Sequence, residues 1–425
     1  MYNIDLANVK SIVADIVAKH NVENVAFVGC GASKAELYPA KYFLANCSKK
    51  LRVAHYTANE FNYDTPDWLG DTTVVITASL GGSTPETVKA NSVAKAAGAT
   101  VVSVTHAAGS ALTKEADYTI VHGFEANYAA KLEKMGYVLA LAVEILQQVE
   151  GFDKYDKMIE GLTNVFEAAE NAANSARKSA KEFAEKYKDA PVVYVMSSGA
   201  SMEVAYSTSI CLMMEMQWVN SGSFHSGEFF HGPFEIVDKD VPFILLMNDG
   251  KTRPVDARAL TFLHRFDALT TVVDAKDYGL GNAVDSSVIT YFNPLMHTAV
   301  FRVYHLQPPA AQRIHQRLCL RVGKLAVGGG ASLAVLPVSH QHLLTAHRVV
   351  GDNGFPDGFF VGANEVALRD GDAVFQQKVF TAVLVVIFRI CQHPIHIKNH
   401  CFNHSSFPSS SKRGRGKPLP QAWVY

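Results

Sequence analysis

The sequence predicts an α/β protein made of two doubly wound parallel-sheet domains of the flavodoxin-like kind, with a tail of different character behind them. Three observations predict it. Short β-branched runs alternate with amphipathic helical stretches, few tight turn pairs join neighbouring runs, and the layout occurs twice before the composition changes at His305. The first series of strands is NVAFV (24–28), RVAHY (52–56), TTVVITA (72–78), TVVSVT (100–105) and YTIV (118–121). A helical stretch from Lys131 to about Val149 and the alanine- and lysine-rich segment ENAANSARKSAKEFAEKYKD lead to the second series. That series is PVVYVM (191–196), PFILLM (242–247), TTVVD (270–274) and SVITY (287–291). The expected boundaries are therefore 1–150, 151–304 and a tail over 305–425. Ligands of open parallel sheets sit beyond the carboxyl ends of the strands, so two similar halves suggest a site between them.

Composition narrows the function. With 425 residues, 48% of them hydrophobic and 19% charged, the chain has material for a large buried core and is neither fibrous nor disordered as a whole. Its 39 basic and 40 acidic residues give a net charge of -1, so no global basic excess points to a nucleic-acid partner. Six cysteines, at 30, 47, 211, 319, 391 and 401, are too sparse for a disulfide scaffold. The start, MYNIDLANVKSIVADIVAKH, is charged and amphipathic without a signal-peptide core, and a cytoplasmic location is expected. The longest apolar run of the tail, VFTAVLVVIF, falls short of the roughly 20 residues of a membrane span, and no membrane partner is expected.

The average charge conceals a split. Residues 305–425 hold 13 basic and 5 acidic residues, against 26 and 35 before them, and 9 of the 17 histidines. Lys outnumbers Arg by 20 to 6 in the first part, whereas the tail has 5 Lys and 8 Arg. Such a change fits a frameshift, a misassembled gene or a fusion after about Tyr304. The closing SSFPSSSKRGRGKPLPQ cannot bury enough apolar area to order itself. Cys391, His393, His396, His400, Cys401 and His404 superficially resemble a zinc site but lack a paired C-x2-4-C half, and no metal is expected.

Three constellations carry chemistry. After the first strand comes GCGASK, where Gly29 and Gly31 permit a tight turn into a helix whose free N–H groups can receive an anion. A dinucleotide fingerprint would want glycine where this chain has Lys34, and an acidic residue about 20 further on; a turn serving only strand-to-helix packing is the plain alternative. A second turn follows the third strand, SLGGSTPETVKA, with Ser79, Gly82, Ser83 and Thr84 ahead of a helix. Hydroxyls and N–H groups there suit a phosphate monoester, although Ser83 or Thr84 with Glu86 or Thr87 would also make a capping box. The third is Glu215 within the apolar run LMMEMQW, where burial is costly without a partner, followed 16 residues on by His231 in the loop SGEFFHGPFEI.

Taken together, these residues resemble the sugar isomerase (SIS) proteins that act on phosphosugars, a family of paired α/β domains, and within it the fructosamine-6-phosphate deglycases. The likeness covers about residues 1–304. It rests on CGAS (30–33), the S-x-x-G-x-T turn of Ser79, Gly82 and Thr84, LMME ending at Glu215, SGEFFHGPFEIV (226–237) and LMNDGKTR (246–253). One place that often holds a second Ser in the related synthases is Gly81 here.

The resemblance implies that Ser33, Ser79 and Thr84, with Gly82 in the same turn, hold the sugar phosphate, that Glu215 is the general base and that His231 is the general acid. It further implies cleavage of a 6-phosphofructosyl amino acid by water to glucose 6-phosphate and the amino acid, without cofactor. A homodimer or larger homo-oligomer is expected by the same analogy. Alternatives on this scaffold are a glucosamine-6-phosphate isomerase or deaminase, a phosphosugar-binding regulator, and a truncated, inactive product.

Overall fold

The computed structural model describes residues 4–123, 128–187, 190–217 and 219–304. The tail from His305, with its cysteine and histidine cluster, lies outside them.

The first sheet arises from alternation of strand and crossover helix. Its strands are β1 (Asn24–Gly29), β2 (Arg52–Thr57), β3 (Thr73–Ala78), β4 (Thr100–Thr105) and β5 (Tyr118–Val121). All pairings are parallel and the order is β2-β1-β3-β4-β5. β1, β3 and β4 are buried along their whole length, which is why they read as unbroken apolar runs rather than as alternating ones. The helices are α1 (Leu6–Lys19), α2 (Gly31–Cys47), the short α3 (Ala58–Tyr63), α4 (Pro85–Ala96), the single turn α5 (Ala111–Lys114) and α6 (Tyr128–Val149). The Asp5 side chain starts α1 by accepting a hydrogen bond from the Asn8 amide.

A helical bridge follows, α7 (Tyr155–Ser175) and α8 (Arg177–Tyr187), and then the second sheet. Its strands are β6 (Val192–Ser197), β7 (Asn220–His225), β8 (Pro242–Met247) and β9 (Leu269–Asp274), parallel in the order β7-β6-β8-β9. Helices α9 (Met202–Ser207), α10 (Arg253–Arg265), α11 (Leu280–Ala283) and α12 (Asn293–Phe301) accompany it, and α9 continues into a π-helical segment, Thr208–Gln217. α6 is apolar on every side: Val138, Leu139, Ala140, Leu141, Ala142 and Val143 are all fully buried. It packs on α1, α2, α7 and α12, so a single core cluster draws on strands of both sheets.

One expected strand is absent and one unexpected strand is present. SVITY is not a strand: Ile289–Tyr291 is a short 3-10 turn, and the Asn293 amide donates to the carbonyls of Ile289 and Thr290 that a ladder would have used. The apolar residues of this segment are there for the core, not for a sheet. Conversely, β7 was not legible as a strand, because NSGSFH is polar and glycine-bearing and pairs only with β6 at the sheet edge.

α7 and α12 approach closely at Gly161. A Cβ there would lie 2.6 Å from the ring of Phe292, which is fully buried and cannot swing aside. Alanine would gain about 1 kcal/mol of helix propensity, but overpacking costs typically about 1–3 kcal/mol, so the steric term dominates. Gly161→Ala should therefore destabilise the chain by about 1–2 kcal/mol in urea denaturation.

Candidate functional site

The strand order decides where the site forms. β1 lies between β2 and β3, so the chain winds to opposite sides at this point, and the register sets Gly29 beside Ala78 at the carboxyl ends of β1 and β3. The two hydroxyl-bearing turns that follow these strands are thereby adjacent at a topological switch point, where open α/β sheets take their ligands.

The second turn is built around its hydroxyls. Ser79 is almost fully buried and its Oγ lies 3.0 Å from Thr84 Oγ1. Thr84 is the N-cap of α4 and Pro85 opens the helix, yet no side-chain capping bond forms. The capping-box alternative is thus not realised, because the Thr84 hydroxyl is turned to Ser79 and the first amides of α4 remain uncapped. Gly82 has φ of +60°, and a Cβ there would lie 2.0 Å from Ser110 Oγ, itself buried and without a partner among the described residues. After the first turn, Ser33 lies in the opening turn of α2 and its Oγ accepts a hydrogen bond of 2.9 Å from Lys134 Nζ. Lys34, at the place a dinucleotide fingerprint gives to glycine, pairs with Glu203 of α9 at 3.1 Å and lies over the Tyr206 ring.

Beside these turns is a cavity of about 380 Å³, a size suited to a small ligand. Ser33 and Leu80 bring it into contact with both turns, and Leu212, Met216 and Phe301 supply apolar wall. Its polar wall is Glu36, Lys134, His122 and Arg302. Glu36 is buried, with Oε2 at 2.5 Å from Lys134 Nζ and Oε1 at 2.9 Å from Arg302 Nη2. Burial pushes its carboxyl upward, but the Lys134 and Arg302 cations outweigh this and hold it below the ordinary carboxylate range. Two cations around one carboxylate leave this wall with one net positive charge.

The structure brings together Ser79 with Thr84, Gly82 in the same turn, and Ser33 at the cavity. It does not bring Glu215 and His231 into that cavity. Glu215 lies in the π-helical segment, whose inward residues are Thr208, Ser209, Met213 and Gln217. Met214, Glu215 and Met216 are consequently exposed, so this carboxylate does not bear the cost of burial among apolar neighbours. Glu215 is nonetheless close to the cavity wall: burial raises the thiol of Cys211, a lining residue, and the Glu215 charge raises it further. His231 is exposed in a turn, with its amide bonded to the Glu228 carbonyl. The loop itself is firmly held, since Phe229 is fully buried, meets the rings of Phe243 and Phe262 edge-on, and neighbours Phe230 under Arg258.

Glu36, Lys134, Arg302 and His122 were not identified from the sequence. One signal was present, a carboxylate between Ala35 and Leu37 on a helix that is otherwise largely apolar, but the two cations that meet it are remote in sequence. Among the described residues no cluster of His, Cys, Asp and Glu could hold a metal ion, and no helix is long and apolar enough to cross a membrane.

Two parallel sheets with hydroxyl turns at a switch point define a paired α/β protein of the kind that takes its ligand beyond the carboxyl ends of the strands. The SIS domain family model matches residues 20–145. The chain is 40% identical over 296 residues to the fructosamine deglycase FrlB of Bacillus subtilis (strain 168), covering 70% of this chain and 90% of that one. It is 27% identical over 277 residues to the fructoselysine 6-phosphate deglycase of Escherichia coli (strain K12), covering 65% and 80%. A crystal structure of a proposed phosphosugar isomerase from Salmonella typhimurium LT2 superposes with a TM-score of 0.69 at 40% identity, covering 72% of this chain and 92% of that one. The chain belongs to the SIS domain family.

Glu36→Gln should destabilise the protein by about 3 kcal/mol in urea denaturation, because it leaves Lys134 buried beside a neutral partner. Since the folded carboxyl is held low, this contribution is present above its unfolded value of about 4.3 and should fade as pH falls toward the lower folded value. Gly82→Ala should lower affinity for inorganic phosphate in calorimetry, because the added carbon displaces Ser110 and the turn must shift.

Proposed function

We propose that the chain is a phosphosugar deglycase that cleaves a 6-phosphofructosyl amino acid with water, releasing glucose 6-phosphate and the free amino acid. The observation that carries this is the Ser79 and Thr84 hydroxyl pair, 3.0 Å apart at the uncapped N-terminus of α4, beside the Ser33 turn and the cavity. Hydroxyls, free amides and the positive end of a helix dipole suit a phosphate monoester, with Gly82 letting the backbone approach it. The similarity at 40% identity to a protein named fructosamine deglycase supports the choice of reaction.

In this reading Glu215 removes a proton from C1 of the open-chain substrate, giving an enaminol. Reprotonation at C2 then yields an imine between C1 and the amino-acid nitrogen. Water adds to C1, the C1–N bond breaks, and the aldehyde of glucose 6-phosphate and the free amine leave. His231 supplies and recovers protons during ring opening and these transfers. The substrate's own C2 carbonyl accepts the electron pair when the C1 proton leaves, and the C1 imine accepts the attacking water, so the scheme uses no cofactor.

Both groups are exposed in the single chain, and so are Met214 and Met216 beside Glu215. That exposure supports a working site completed by a second copy, in which the His231 loop of one subunit meets the phosphate turns of another.

The assay is release of glucose 6-phosphate from a 6-phosphofructosyl amino acid. Glu215→Gln keeps size and removes the base, so turnover should fall by at least roughly 10²-fold with little change in binding, and His231→Ala should do the same. Ser79→Ala and Thr84→Ala should each weaken glucose 6-phosphate binding by about 1–2 kcal/mol. Undiminished turnover in Glu215→Gln would remove this mechanism. Conversion of glucosamine 6-phosphate to fructose 6-phosphate and ammonia, with no action on the fructosyl substrate, would move the protein to the isomerase and deaminase reading.

A further inference from the structure

One residue of the cavity wall, His122, has a buried ring nitrogen that no hydrogen bond or ion pair among the described residues accounts for. His122 follows β5, is only 3% exposed and lines the cavity. Its Nδ1 lies 2.6 Å from the Gly123 carbonyl oxygen. A carbonyl can only accept, so Nδ1 carries the ring proton and Nε2 presents a lone pair. That Nε2 is buried and has no hydrogen-bond partner among the described residues.

A core histidine of purely structural use looks different in the same protein. His297 is fully buried and engages both nitrogens, Nδ1 with Ser201 Oγ at 2.9 Å and Nε2 with the Met247 carbonyl at 3.1 Å. Leaving an acceptor buried and unpaired typically costs about 1–3 kcal/mol, a cost that a bound donor would remove. Burial, with Lys134 and His106 adding to it, pushes the His122 imidazole down to about 4, although the Gly123 hydrogen bond and Glu36 act the other way. The ring is therefore neutral at physiological pH and its Nε2 remains an acceptor.

The surrounding charge restricts the donor. With Lys134 and Arg302 against Glu36, the wall beside His122 has one net positive charge, so a cationic donor is disfavoured. A neutral hydroxyl is the donor that fits.

We infer that His122 is a specificity-determining residue whose Nε2 accepts a hydrogen bond from a hydroxyl of the sugar chain, so that the cavity distinguishes a polyhydroxylated phosphate ester from phosphate alone. This rests on the phosphosugar reading and deepens it. The phosphate is held at the Ser79 and Thr84 turn, and the sugar extends into the cavity that Ser33 and Leu80 share with His122 and Lys134. His122 makes no bond to the reacting atoms and acts on selectivity.

The test is calorimetric titration of the full chain and of His122→Phe and His122→Gln with glucose 6-phosphate and with inorganic phosphate. His122→Phe keeps a planar ring without the acceptor, so glucose 6-phosphate should bind about tenfold more weakly while inorganic phosphate stays within about twofold. His122→Gln restores a side-chain acceptor at similar reach and should recover part of the loss. Equal glucose 6-phosphate affinity in the unsubstituted chain and His122→Phe overturns the inference. So does an equal loss of both ligands, which would mean a structural role. A chain that binds glucose 6-phosphate with the expected His122 dependence, yet does not release it from a 6-phosphofructosyl amino acid, would overturn the deglycase reading and leave the inference standing. Absence of glucose 6-phosphate binding to the unsubstituted chain would overturn both.

Discussion

The carboxylate of Glu36, buried between Lys134 and Arg302, is the constraint on which the rest of the structure depends. It ties α2 of the first half to α6 at the centre and to the end of α12, the last described helix. Glu36 and Lys134 are buried and Arg302 is partly buried, and such charges are tolerable only when their geometry is fixed, so the pairs constrain how the three helices sit against one another. Lys134 then reaches onward to Ser33 Oγ, which sets the start of α2 beside the carboxyl end of β1. Moving α6 or α12 away from α2 would pull a cation from the buried Glu36 carboxylate.

This constraint links the core to the site. The middle of α6, residues 138–143, is apolar on every side because it is packed all round, and Lys134, nearer the start of the helix, is the charged residue it contributes to the cavity wall. The cavity therefore has an apolar side for the body of a ligand and a polar side with one net positive charge. On the proposed reading, an anionic ester at the Ser79 and Thr84 turn would lie next to that charge. The Lys34 to Glu203 pair does similar work at the rim, joining the first turn to the second half through α9.

How the site would become active differs between its two parts. The Ser79 to Thr84 turn is preorganised within the chain, since Ser79 and Thr84 already face one another and Gly82 is locked against Ser110. Glu215 and His231 belong to surfaces: one is on a π-helical segment whose outward residues include two exposed methionines, the other is in a loop anchored by Phe229. On the proposed reading, a preformed Ser79 and Thr84 turn with Glu215 and His231 on exposed surfaces would position a ligand before the chemistry is assembled around it.

The sequence by itself determined the parallel α/β architecture, because strands buried on both faces must be continuous apolar runs and only helical crossovers can join them. It also determined the Ser79 to Thr84 turn, since glycine and hydroxyls ahead of a helix are a local pattern. Local pattern failed where long-range packing decides. SVITY serves the core through Asn293, NSGSFH becomes an edge strand because β6 offers it a partner, and Glu215 faces outward because Met213 and Gln217 face in. The Thr84 hydroxyl, equally suited to capping, was directed to Ser79 by the approach of β3 and α4. Only the tertiary structure could bring Glu36, Lys134 and Arg302 together, because opposite charges 98 and 266 residues apart attract strongly only once folding has removed the water between them.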